Sequence, residues 1–454
     1  MRSEKGLKSG LITSAKESHG QRIFYAIAGA AVTPLMSLAT APILAQSLGV
    51  LGRGELAAGM APMLFAVAVG ALGIPEALTF HVARHAGGAR KVLKRAFWIL
   101  TFLGMSTAAI VALSASLLSD GNTDIEQLIF ITAILTVPTF WASVPNSVLA
   151  GNHQWKQAAR IDLCLAAVRL LVLSVFAMAS LLTPLTAMMV MLGIPLIKGI
   201  VMLPYLFAYI RERRNLPPAR ARLINYGSRL WAGSLAGIVL LRLDQLLMVP
   251  FGNAAQLGLY VVAVSLGEIP ALLSGAVRNV VFSSDAESSH RPEDQDRLQQ
   301  TARLTSAATA LGSLGIGVAL PWAVPLLFGD SFAAAVAVSW VILAGVALGT
   351  PGSIAGAGLS ARGRPGLRSI GMVIGAVLNT AILLATVPVL GAMGAALATL
   401  AGSIVAGTMN IVWLRAHFGM PMRGFFGLRG ADFQLILTGI SKMTGKKRVH
   451  AASK

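Results

Sequence analysis

Apolar runs of about 20 residues alternate with short polar intervals along this chain, and a helix needs that length to cross a hydrocarbon core of about 30 Å. Twelve such helices are predicted. The first six are Ile23–Leu48, Leu56–Phe80, Ala96–Leu118, Leu128–Leu149, Ile161–Leu182 and Ala187–Ile210. The second six are Leu230–Pro250, Leu257–Val281, Leu304–Phe328, Ala333–Ala355, Ile370–Leu390 and Ala395–Trp413. Alternate connections are short and nearly free of Lys and Arg, as in GVLGRGE, TPLT, FGNAAQ, GDSFA and GAMG.

Composition agrees with the pattern. Of 454 residues, 55% are apolar and only 12% charged, with mean hydropathy +0.72, so a water-facing surface could not be covered. The net charge of +19 would suggest nucleic acid in a soluble protein, but no aromatics interleave with the basic runs, and none is expected as a partner. Instead, 32 of the 37 Lys and Arg fall in the termini and alternate loops, one (Arg53) in the other loops, and four inside spans. That asymmetry predicts both termini in the cytoplasm. The single Cys164 lies inside a span and precludes an intramolecular disulfide. No cleaved leader is expected, because the first apolar segment lacks an A-x-A-type site.

Two halves echo each other. AQSLGVLGRGELAAG joins spans 1 and 2, and MVPFGNAAQLGLYVV joins spans 7 and 8, with Gly54 and Gly258 offset by 204. VLAGNHQWKQAARI and GLSARGRPGLRSI follow spans 4 and 10, with Gly151 and Gly363 offset by 212. The expected fold is an all-α polytopic membrane protein of twelve transmembrane helices in two six-helix lobes, related by a parallel internal repeat. Residues 1–210 would form the N-terminal lobe, 211–229 a cytoplasmic linker, 230–413 the C-terminal lobe and 414–454 a basic cytoplasmic tail.

Several segments resemble the polysaccharide branch of the multidrug/oligosaccharidyl-lipid/polysaccharide exporter superfamily. They are LGVLGRGELA, LAGNHQWKQAARIDL, RLDQLLMVPFGNAAQLGLYVVA and LSARGRPGLRSIGMVIGAVLNTAILLATVPVLGAMGAALAT. The resemblance implies a flippase for lipid-linked oligosaccharide in a bacterial cytoplasmic membrane, working by alternating access. Its substrate would be an undecaprenyl-diphosphate-linked glycan, with membrane lipid around it and polymerase or glycosyltransferase partners. It implies no enzyme activity, cofactor or metal.

Charges inside spans are costly and normally face water or a partner. Arg169, Lys198, Arg242 and Arg278 are the candidate substrate-binding residues, because Arg offers a donor fork suited to phosphate oxygens and Lys a compact charge. Asp244, Glu268 and Glu76 are candidate counter-ions or coupling sites. The family motif around RLDQLL also implies an acid at Asp244. Arg242 and Asp244 project about 200° apart on a helix, so at least one needs an outside partner, and Glu268 on span 8 is at the right height for Arg242. Blander readings stand beside these: Arg169 snorkelling or matched by Asp162, Arg278 snorkelling to the inner surface, and Glu76 a helix-end acid. A drug antiporter of the same superfamily is the alternative, but acids rather than cations would then dominate mid-span. A membrane-embedded polyprenyl-linked glycosyltransferase would need outer-loop acids, and the first outer loop offers only Glu55.

Overall fold

The computed structural model describes residues 19–84, 89–212, 223–286, 292–430 and 432. The middle of the expected linker (213–222) and most of the tail (433–454) lie outside the described residues.

Among the described residues the chain is helical between short turns, because a backbone in lipid must satisfy its own hydrogen bonds. The helical stretch His19–Gly70 turns at Gly49 (φ 65°, ψ −176°), which divides it into α1 (19–48) and α2 (50–70). There follow α3 (Ile74–Arg84), α4 (Ala89–Leu113), α5 (Ala115–Ser119), α6 (Thr123–Gly151), α7 (Trp155–Met178), α8 (Pro184–Val201) and α9 (Leu203–Glu212). The second half contains α10 (Leu223–Phe251), α11 (Ala254–Ala286), α12 (Pro292–Phe328), α13 (Ala335–Ala361), α14 (Pro365–Leu390) and α15 (Ala392–Phe418). Ten helical stretches among the described residues are long and apolar enough to span a membrane, Met36–Gly70 (joining α1 and α2) counting as one. With that pair separated at Gly49, and with the 29-residue α10 added, twelve rods result. This is a multi-pass membrane protein.

Three rods are broken: one at Ser114, between α4 and α5, and two at breaks followed by a proline. Leu72 (φ 47°) and Gly73 (φ 67°) separate α2 from α3, and Pro75 is the second residue of α3. Met202 separates α8 from α9, and Pro204 is the second residue of α9. Proline is suited to a helix's first turn, where its missing N–H is not needed. By contrast Pro138, Pro145, Pro195 and Pro270 sit inside continuous helices.

The expected repeat is visible as matching turns. After α6 the amide of Gln154 donates to the carbonyl of Leu149 at 3.1 Å and that of His153 to Ala150 at 3.0 Å. After α13 the amide of Arg364 donates to Leu359 at 3.1 Å and that of Gly363 to Ser360 at 3.2 Å. Both are the same helix-ending motif with a left-handed residue, His153 (φ 57°) or Gly363 (φ 77°). The structural equivalent of Gly363 is therefore His153, not Gly151.

The basic connections gather at one end of the bundle and the short turns, poor in Lys and Arg, at the other, here the far end. At the far end both halves share one core, in which Ala41, Ala45 and Ala58 pack with Leu257, Tyr260, Phe328 and Ala395. There a methyl group on Gly54 would overlap the carbonyl oxygen of Ala254, and one on Gly258 would overlap that of Val50, so the two backbones touch reciprocally. Towards the basic end each half has its own cluster. The first is built on Ile74, Leu78, Leu100, Phe140 and Val148, the second on Leu298, Ile354, Leu359, Leu414 and Phe425. Leu223 and Trp231 of α10 reach across, Leu223 joining the first cluster and Trp231 donating from Nε1 to the carbonyl of Val69 at 2.6 Å.

Candidate functional site

Asp244 is 3% exposed and turned into the second half. Tyr260 of α11 donates its hydroxyl to Oδ2, Thr399 of α15 donates to the same oxygen at 3.4 Å, and the Gln245 amide donates to Oδ1 at 2.8 Å. Asn379 of α14 reaches Thr399 Oγ1 at 3.5 Å. Asp244 is the hub of a polar cluster binding four helices together, so the buried carboxyl is fully engaged, as burial demands.

Arg242, two residues away, is exposed on another face of α10. Glu268 of α11 is exposed too, and lies within electrostatic reach of Arg242 at the matching height, although the two do not close to an ion pair. Exposing such charges to lipid would cost about 2.5 kcal/mol or more each by translocon scales.

In the first half Lys198 of α8 pairs with Asp162 of α7 at 2.7 Å, with side chains 26% and 22% exposed. The sequence had offered Asp162 as a match for Arg169; the structure gives it to Lys198 instead. Seven residues separate Asp162 from Arg169, about 10 Å along one helix, whereas Lys198 arrives from the neighbouring helix at the same level. Arg169 is left half-buried, its Nε without a hydrogen-bond partner.

Arg278 lies 24 residues along α11 from Ala254, about 36 Å of rise, and so near the basic end. Its Nη1 donates to Ser353 Oγ of α13 at 3.3 Å. Glu76 is exposed in the first turn of α3, where the helix dipole favours an acid, so the helix-end reading describes its place. The candidates therefore fall at separate stations: Arg242 with Glu268, Arg169 alone, Lys198 with Asp162, and Arg278 with Ser353.

Sequence reasoning missed Tyr260, Thr399 and Arg368. The first two carry no charge, and nothing in a single sequence links them to Asp244. Arg368 was placed in the loop 361–368, whereas it stands on α14. Two open grooves lie away from these residues. One, about 440 Å³, is an apolar groove between α12 and α13 lined by Leu314, Pro321 and Trp340. The other, about 270 Å³ at the far end, brings Glu55 together with Asp124, Gln127 and Thr183. The far end thus holds a second acid beside the Glu55 expected there.

Residues 43–337, more than half of the chain, match the family model described as polysaccharide biosynthesis protein. The chain belongs to that family. No curated protein sequence matches it. Among solved structures, an inward-facing multidrug resistance MATE family transporter of the MOP superfamily is similar at 14% identity and TM-score 0.71, over 87% of this chain and 98% of that one. The lipid II flippase MurJ in an inward closed conformation is similar at 15% identity and TM-score 0.67, over 89% of each chain. A MOP superfamily transporter from Pyrococcus furiosus, whose structure was described as having a binding pocket of reverse polarity, matches at 14% and TM-score 0.60 over 87% and 94%. This member of the polysaccharide biosynthesis family therefore has the fold of the MOP-superfamily transporters.

Proposed function

We propose that this protein flips a polyprenyl-diphosphate-linked oligosaccharide from the inner to the outer leaflet by alternating access, in a bacterial cytoplasmic membrane with both termini inside. The observation that carries the reading is the set of arginines on spanning helices that close no ion pair among the described residues. Arg169, Arg242 and Arg278 form no ion pair among the described residues, and each presents donors that suit a diphosphate. Lys198 would contribute only when its pair with Asp162 opens. A substrate with an anionic head and an apolar tail matches such helices: the head needs water and cations, and the tail remains in lipid. The two lobes, 1–210 and 230–413, would rock about their shared far-end core while their basic-end clusters part. Asp244 holds its lobe together, and Glu268 stays near Arg242 until the diphosphate replaces it. No covalent step is required.

Reconstitution into vesicles tests this. Fluorescent polyprenyl-diphosphate-linked sugar should cross at a rate proportional to protein, while cationic dyes should not be exchanged for protons or sodium. Dye antiport without lipid movement would make the protein a drug exporter instead.

A further inference from the structure

Two arginines converge on one face of α13 at the basic end of the second half. Arg278 of α11 donates to Ser353, and the Cδ of Arg368 from α14 lies 3.4 Å from where a methyl on Gly356 would stand, one helical turn further along. Both are partly buried. Arg278 lies within electrostatic reach of Arg368. The acid that might have served, Asp285, seven residues beyond Arg278, is held by Arg362 through two hydrogen bonds of 2.9 and 3.0 Å. Arg368 also stands in the first turns of α14, which starts at Pro365 with no acid there and no side-chain cap, so the helix dipole adds positive potential. Two like charges held together in a partly buried place, with the local acid engaged elsewhere, are unfavourable until an anion joins them.

We propose that Arg278 and Arg368, with the Ser353 hydroxyl, form a phosphate-binding site at the basic end of the C-terminal half. Resting on the flippase reading, the site takes the diphosphate of an isoprenoid lipid at the leaflet surface before it enters between the halves. Two guanidinium forks can share the oxygens of two adjoining phosphates, and Ser353 can donate one further hydrogen bond. Arg242 and Arg169, deeper in the membrane, belong to the later crossing.

The full-length protein in nanodiscs is titrated with farnesyl diphosphate, farnesol and inorganic pyrophosphate. Arg278→Gln and Arg368→Gln should each weaken farnesyl diphosphate binding about tenfold or more and leave farnesol unchanged. The Arg278→Lys and Arg368→Lys variants keep the charge and should lose less, which separates a lost ligand from a misfolded protein. If pyrophosphate binds as tightly as farnesyl diphosphate, the phosphate site stands and the lipid source is overturned. If the double Gln variant, still folded by thermal melting, binds farnesyl diphosphate as the wild type does, the site is overturned. Should that variant also flip lipid normally while Arg242→Gln does not, this site fails and the flippase reading survives. Absence of lipid movement in the wild type would sink the flippase reading whatever the titrations give.

Discussion

At Asp244 the sequence posed a buried acid in an apolar helix, and the structure answers with donors from two other helices. Tyr260, fully buried, is one of them. Tyr260→Phe removes that donor without changing shape, and should lower the unfolding free energy by about 1–3 kcal/mol, read as a lower melting temperature in detergent. A second residue-scale test concerns Asp432, outside the spans, which sits at 0% exposure beneath Arg303. Arg303 donates to both carboxylate oxygens at 2.7 and 2.8 Å, and those bonds hold the carboxyl well below the usual carboxylate range against the opposing effect of burial. A lowered folded-state pKa stabilises above the unfolded value of about 3.9 and is lost as pH falls through the folded one. Protection of the 420–432 segment from protease should therefore be flat from neutral pH to about pH 5 and fall only in strong acid. Asp432→Asn should expose that segment at neutral pH. Charges in spans were legible because lipid makes them anomalous. Their partners were not: Lys198 finds Asp162 across a helix interface that one chain's spacing does not reveal.

Among the elements, the turns after α6 and α13 carry the repeat most clearly. One uses His153 and the other Gly363 at the same left-handed position. An L side chain there costs about 1–2 kcal/mol, and glycine avoids the cost. His153→Gly should therefore raise thermal stability and Gly363→Ala should lower it, each by about 1 kcal/mol after offsetting losses. Equal responses with the same sign would remove the equivalence. The sequence announced these turns by their glycines but aligned Gly151 with Gly363, because composition cannot tell which residue takes a positive φ. The breaks at Leu72–Gly73 and Met202 were legible only in part. Pro75 and Pro204 follow breaks, but prolines such as Pro138 and Pro270 are absorbed into unbroken helices once neighbours cover the freed carbonyls.

Across the whole molecule, the twelve rods and their alternating connections followed from hydropathy and the placement of Lys and Arg, because the bilayer restricts both. Which ends touch did not follow. The shared core at the far end and the backbone contact of Gly54 with Ala254 make that end the closed one. A methyl group at either glycine must push the halves apart there, so Gly54→Ala or Gly258→Ala should leave the protein folded and raise labelling of a cysteine placed at Val50 by a membrane-impermeant thiol reagent. Unchanged labelling would mean the contact is not a gate. The central claim is that unpaired arginines within the membrane carry an anionic lipid head across it, and initial rates of outward movement of labelled polyprenyl-diphosphate sugar in vesicles test it most directly. Arg242→Gln and Arg169→Gln together should reduce that rate at least a hundredfold at unchanged protein amount and melting temperature; a double variant that flips lipid at the wild-type rate would contradict the account.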